Sequence, residues 1–259
     1  MDRNNYDAKI ALLREFCTTS IKGIEANGFV RNHPPQKVFS DISSDLIDLS
    51  GHYEKQRNFE NSKCGHILCG DTRESMAIAC LALRLLKPSV VYEIGRFRGW
   101  STTQMCFAIK QNFKETGEKA EFTSIDPHLG ADGGPGWSSV NKQCGQSFEW
   151  DLSRTNISRA GMSEFVETVR GFSGEYIEKV EHGIEFVFVD GDHTYTGAKA
   201  DVDEYGAKMV QGGLCILHDV WSEEWTGDNY GPSKVYADAD PEVWEKVGHM
   251  WCVGILRKK

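Results

Sequence analysis

The chain has 259 residues, enough for one large domain with a full hydrophobic core. Acids outnumber bases, 38 Asp and Glu against 29 Lys and Arg, and a formal charge of -9 argues against a nucleic-acid partner, which requires a basic face to neutralise phosphates. The longest apolar stretch, Ala77 to Leu86, is too short for a bilayer and carries Arg84, so neither a membrane span nor a signal peptide is expected.

From the N-terminus, Tyr6, Ile10, Leu13, Cys17 and Ile21 fall on one helix face, and Gly28 and Pro34-Pro35 end that pattern. A second short helical pattern follows at Ile42, Leu46 and Leu49. Residues 1–70 therefore read as a helical extension covering an edge or the mouth of a main domain at 71–259, either enclosing substrate or forming a contact in a homo-oligomer. Cys64-Gly-His66-Ile-Leu-Cys69 has no second Cys/His pair at finger spacing, so a zinc finger is not expected. The eight cysteines are scattered, which fits reduced thiols in a cytoplasmic setting.

Asp71 and Glu74 form a capping box for a helix over Ser75 to Leu86, and Pro88 ends it. Ser89 to Ile94 is a first strand, leading through Gly95 and Gly99 into a helix from Ser101 with Met105, Cys106, Ile109 and Phe113 on one face. Glycine at the carboxyl end of a strand lets backbone approach a ligand, but Arg96 and Phe97 break the Gly-x-Gly-x-x-Gly dinucleotide pattern, so a pyrophosphate loop is disfavoured. Glu121 to Ile125 is a second strand ending in Asp126, where a carboxylate meets ribose hydroxyls in nucleotide folds.

Residues 128–150 are glycine-rich and without periodicity, a lid or an insertion. Asp151 to Ala160 reads as a helix, Phe165 to Val169 as a third strand with its turn at Gly171-Phe172-Ser173, and Ile184 to Val189 as a fourth strand buried on both faces. Asp190-Gly-Asp192-His193-Thr-Tyr195 ends that fourth strand. A helix to Val210, a turn at Gly212-Gly213 and a fifth strand from Leu214 to Leu217 then lead to His218-Asp219. Carboxylates and imidazoles converging from two strand ends can hold a divalent metal or move a proton. Trp221 to Pro232 reads as a pocket-lining or solvated loop, and Trp244–Val247 with Trp251–Leu256 as a hairpin turning at Gly248-His249.

Together Glu93-x-Gly95-x-x-x-Gly99-x-Ser101, Ser124-Ile125-Asp126, Asp190-Gly191-Asp192-His193-x-Tyr195 and His218-Asp219 resemble class I S-adenosylmethionine-dependent methyltransferases of the small-molecule group. The resemblance implies an α/β fold: a Rossmann-like seven-stranded sheet in the order 3-2-1-4-5-7-6, with the last strand antiparallel and helices on both faces. It places Glu93, Gly95, Gly99 and Ser101 around the methionine moiety, Asp126 on the ribose, and Phe172 and Ser173 beside the adenine. It also implies transfer to a hydroxyl of a small-molecule acceptor. His193 or His218, beside Asp190, stands as the catalytic base, and Asp190 or Asp192, His218 and Asp219 as ligands of Mg, Mn or Fe. His218 departs from the all-oxygen set that magnesium prefers. An iron-dependent hydroxylase-like oxidoreductase on a related fold and a non-catalytic S-adenosylmethionine-binding protein are the alternatives.

Overall fold

The computed structural model describes residues 6–15, 17, 71–128, 149–220, 231–250 and 252–259. The patterns at Ile42 to Leu49 and Cys64 to Cys69, the glycine-rich residues 129–148 and the stretch Trp221 to Tyr230 lie outside the described residues.

Helix α1 covers residues 6–15. Tyr6, Ile10, Leu13 and Cys17 are buried, as their spacing predicts, and the Tyr6 hydroxyl donates to the Gly212 carbonyl. Helix α1 thus packs into the core beside the sheet. After α2 (Asp71–Leu86) come β1 (Val90–Ile94), α3 (Trp100–Thr116), β2 (Glu121–Asp126), α4 (Glu149–Arg159) and β3 (Glu167–Arg170). The short α5 (Ser173–Tyr176), β4 (Ile184–Val189), α6 (Tyr195–Ala207), β5 (Met209–His218), α7 (Gly231–Ala237), β6 (Trp244–Met250) and β7 (Val253–Lys258) complete the order.

The seven strands form one sheet in the order β3-β2-β1-β4-β5-β7-β6. β1 to β5 run parallel, and β7 runs antiparallel between β5 and β6. Strand alternation divides the core. Phe186, Phe188, Leu214 and Ile216 face one way, onto α1, α2 and α3, while Val187, Val189, Cys215 and Leu217 face the other, onto α6. No helix among the described residues is long and apolar enough to cross a membrane.

Three boundaries differ from expectation for local reasons. The glycines at 212 and 213 do not form a turn before β5; they lie inside it. Ile184 pairs with Met209 and Phe186 with Leu214, so the strand absorbs the extra residues as a bulge with Gly212 at φ 92°. Gly248 lies within β6, opposite Ile255, and leaves room for the Cys17 side chain; the hairpin turns after Met250 instead. Phe165 fills the core from a 3-10 turn over Ser163–Phe165, which delays β3 to Glu167.

Candidate active site

The parallel strands bring the carboxyl ends of β1, β2, β4 and β5 to one edge of the sheet, where open α/β folds bind ligands. Backbone strain gathers there too: Phe97, His128 and Asp219, after β1, β2 and at the end of β5, are non-glycine residues at φ 48°, 47° and 56°.

At the end of β1 the Glu93 carboxyl is fully buried and accepts hydrogen bonds from the hydroxyls of Ser101 (2.5 Å), Thr102 (2.6 Å) and Ser124. Burial pushes its pKa up to about 7, against the pull of those three donors. Glu93 and Ser101 are therefore joined to each other, tying β1 to the first turn of α3 below the ligand edge. Gly95 (φ 86°) and Gly99 (φ 81°) frame that turn. A side chain on Gly95 would overlap the carbonyl oxygen of Asp190, and one on Gly99 would press on Ser153 and Ile157 of α4. The need for glycine at both positions comes first from protein packing.

Asp126 is almost completely engaged. Its Oδ2 accepts the backbone N–H of Arg96 (2.8 Å) and Phe97 (2.6 Å), and its Oδ1 accepts that of His128 (2.7 Å). A carboxylate offers about four lone-pair directions, so these three bonds leave about one of them unused. Arg96, which sequence reasoning passed over, is 1% exposed and links this corner to its neighbours. Its guanidinium donates to the Ser124 carbonyl (2.6 Å), meets His128 Nε2 (2.9 Å) and lies 5.0 Å from the Trp150 ring centre on α4. Burial pushes the His128 pKa down to about 4, so this ring is neutral at physiological pH beside the guanidinium.

After β3, Phe172 is 48% exposed, a large aromatic face open at the ligand edge and suited to stacking on a base. Ser173 donates to Asp201 Oδ1 at 2.6 Å. Asp201 was also missed, although Ala198, Asp201, Val202 and Tyr205 show the spacing of a single buried helix face. Burial raises its pKa to about 7, opposed by the Ser173 hydrogen bond.

The densest chemistry sits where β4 and β5 end. His193 Nε2 lies 2.7 Å from Asp219 Oδ2 and 3.7 Å from Asp190 Oδ1. His218 Nδ1 lies 3.1 Å from Asp190 Oδ1 and 3.4 Å from Asp219 Oδ1. Burial alone would lower both imidazole pKa values. The Asp219 hydrogen bond with the Asp190 charge reverses this at His193, and the Asp190 charge and hydrogen bond reverse it more strongly at His218, so both end up raised. Asp219 is itself desolvated, yet the two imidazoles hold its carboxyl far below the usual range. Asp192 does not join this cluster: its Oδ1 accepts the Thr194 N–H at 2.8 Å, and its carboxyl lies against Gly197 in the first turn of α6. Among the described residues, Asp190, His193 and Asp219 offer donor atoms within 4.8 Å of one another.

A seven-stranded sheet in this order, with its polar groups at the strand ends, is the Rossmann-like methyltransferase architecture. Solved structures share it. They include a Podospora anserina methyltransferase bound to S-adenosylhomocysteine (17% identity, 89% of this chain and 100% of that chain, TM-score 0.56). A Bacillus cereus O-methyltransferase in complex with S-adenosylhomocysteine is 13% identical over 95% of this chain and 100% of that chain, TM-score 0.51. A Geobacter sulfurreducens methyltransferase is 14% identical over 92% and 96%, TM-score 0.51. Residues 92–220, which carry the strand-end motifs from Glu93 to Asp219, match the methyltransferase domain family, and the protein is a class I S-adenosylmethionine-dependent methyltransferase.

Proposed function

We propose that the protein methylates a hydroxyl oxygen of a small molecule, with the His193–Asp219 pair accepting the hydroxyl proton. The observation that carries this reading is the 2.7 Å contact between His193 Nε2 and Asp219 Oδ2 at the ligand edge. An ionised carboxylate on one ring nitrogen orients the imidazole and stabilises the imidazolium formed when the ring takes a proton. Of the two histidines, His193 is the better placed to meet an acceptor, because 29% of its side chain is exposed against 11% for His218. S-adenosylmethionine supplies an activated methyl group on sulfur, and transfer is an in-line displacement that needs alignment more than covalent help. Phe172 provides a face for the adenine, Ser173 its edge, and Asp126 one free lone pair for the ribose.

A second reading is favoured by the mutual approach of Asp190, His193 and Asp219. These residues offer two carboxylates and one imidazole, a set that suits manganese or iron as well as magnesium, and a divalent ion there would acidify a bound hydroxyl. Against the set expected from the sequence, Asp190 or Asp192 with His218 and Asp219, this group takes His193 in place of His218 and leaves Asp192 out.

The test uses S-adenosylmethionine with an isotopically labelled methyl group and a panel of phenols, catechols, sugars, amines and thiols. O-methyl products are read by mass spectrometry, with and without a chelator. Transfer that survives chelation and falls about 10²–10⁴-fold in His193→Gln supports the base reading. Transfer lost to chelation and restored by Mg²⁺ or Mn²⁺ supports the metal. Labelled product only on nitrogen or sulfur acceptors overturns O-methylation.

A further inference from the structure

The loop after β3 is held to α6 at two points, both on Ser173. The Ser173 hydroxyl donates to Asp201 Oδ1 at 2.6 Å, and its backbone carbonyl accepts the Tyr205 hydroxyl at 3.2 Å. Asp201 and Tyr205 stand one turn apart on the buried face of α6, so a single helix fixes both the place of this serine and the direction of its hydroxyl. Asp201 is 5% exposed, and its Oδ2 lies 3.1 Å from the point where a side chain on Gly191 would begin, so the carboxyl sits between the loops after β3 and β4. Phe172, the neighbour of Ser173, stays open at the ligand edge. We infer that Asp201 is a positioning residue that makes the Ser173 oxygen an acceptor only, so that the site selects a 6-aminopurine nucleoside over a 6-oxopurine one. The inference rests on the reading above that adenine lies on Phe172 with its edge at Ser173.

A serine hydroxyl carries one proton and two lone pairs. An ionised carboxylate has no proton to give, so the 2.6 Å contact commits the serine proton to Asp201. What remains at Oγ is acceptor capacity. The exocyclic amine of adenine brings N–H donors and satisfies it. The carbonyl oxygen that hypoxanthine carries at the same ring position sets acceptor against acceptor and leaves both unpaired. Burial raises the Asp201 pKa to about 7, against the Ser173 hydrogen bond and with the nearby charges of Asp192 and Glu204, so the carboxyl is mostly ionised at pH 8.

Joining a loop to a helix needs no charge. An asparagine at 201 would accept the same bond without the cost of desolvating a carboxylate, and Ser173 supplies the one hydrogen bond that Asp201 accepts from a side chain among the described residues. An amide does not fix the direction of that bond, because its NH₂ can turn toward Ser173 and leave the hydroxyl to donate outward. A carboxylate admits one polarity.

The experiment measures, by calorimetry on the full chain at pH 8, the affinities for S-adenosylhomocysteine and for S-inosylhomocysteine, which carries a carbonyl in place of the 6-amino group. The wild type is expected to bind the adenine ligand at least about 10-fold more tightly. Asp201→Asn is expected to bring the two affinities within about threefold of each other, through tighter binding of S-inosylhomocysteine, a gain that a loosened structure does not produce. Ser173→Ala is expected to narrow the ratio as well, through weaker binding of S-adenosylhomocysteine. Equal wild-type affinities, or a wild-type ratio that persists in Asp201→Asn, overturn the inference. If Asp201→Asn fails to fold, a ratio that persists in Ser173→Ala overturns it instead. Phe172→Ala separates the role of Asp201 from the placement of adenine. Weaker S-adenosylhomocysteine binding in Phe172→Ala beside an unchanged ratio in Asp201→Asn keeps adenine on Phe172 and rejects Asp201. Unchanged binding in Phe172→Ala rejects the adenine placement, and the inference with it.

Discussion

The carbonyl oxygen of Asp190 occupies the place where a side chain on Gly95 would begin. The turn after β1 and the end of β4 are thereby locked together, and Asp190 N donates to the Ile94 carbonyl at 2.8 Å to close the joint. Gly95→Ala combines a left-handed φ with a backbone overlap, and should lose roughly 2–4 kcal/mol of stability. Urea unfolding measures this. A wild-type midpoint would show that packing does not require glycine here.

Asp126→Ala removes the acceptor of three backbone N–H groups as well as the lone pair left for ribose. Stranding buried donors costs about 1–3 kcal/mol each, so the variant should be less stable without ligand as well as weaker toward S-adenosylhomocysteine. Calorimetry and chemical denaturation separate the two effects. Weaker binding at unchanged stability would point to ribose contact alone.

For His193 the neutral ring is the active form of a base, and its pKa is raised above 6.5 despite burial, by the hydrogen bond to Asp219 and the charges of Asp190 and Asp219. The rate of transfer should therefore climb with pH through a limb above 6.5 and then level off. Asp219→Asn should move that limb to lower pH as well as slowing transfer. A limb that does not move in Asp219→Asn would argue against the pair.

Asp201 gives a stability prediction with a definite sign. Its folded pKa of about 7 exceeds the unfolded value of 3.8, so between these values the folded state binds more protons and stability falls as pH rises. Asp201→Asn keeps an acceptor for the Ser173 hydroxyl and removes the titration. Its unfolding free energy should decline less than that of the wild type between pH 4 and pH 7. Glu93, raised to about 7 from 4.5, contributes a decline of the same sign and remains in the variant. Parallel curves would mean that Asp201 is not buried as a carboxyl.

Much of the frame was legible because parallel β-strands leave strong local traces. β1, β2 and β4 lie within a residue of their expected bounds, since a buried apolar run ending in Gly or Asp admits few readings. The site was harder to read. Glu93, Gly95, Ser101 and Asp126 were picked out by position, but position does not say that Glu93 faces Ser101 or that Asp126 holds the backbone of Arg96. The 3.6 Å contact of the Cys252 thiol with His218 Nε2 had no signal at all, because it depends on a hairpin distant in sequence. The Gly212-Gly213 pair misled, since a turn and a bulge use glycine for the same left-handed freedom.

The position of β7 has a consequence for how the enzyme is made. His218 pairs with Val253 and Leu217 with Gly254, so the strand that ends in His218 has its outer neighbour supplied by a much later part of the chain. A nascent chain that has emerged only as far as residue 252 already carries every motif from Glu93 to Asp219. It lacks the partner that pairs with β5 and holds His218 within the sheet. During synthesis, then, the strand-end motifs are all present before the sheet that positions them is complete, and an interrupted translation product would expose the outer edge of β5, open to pairing with another chain.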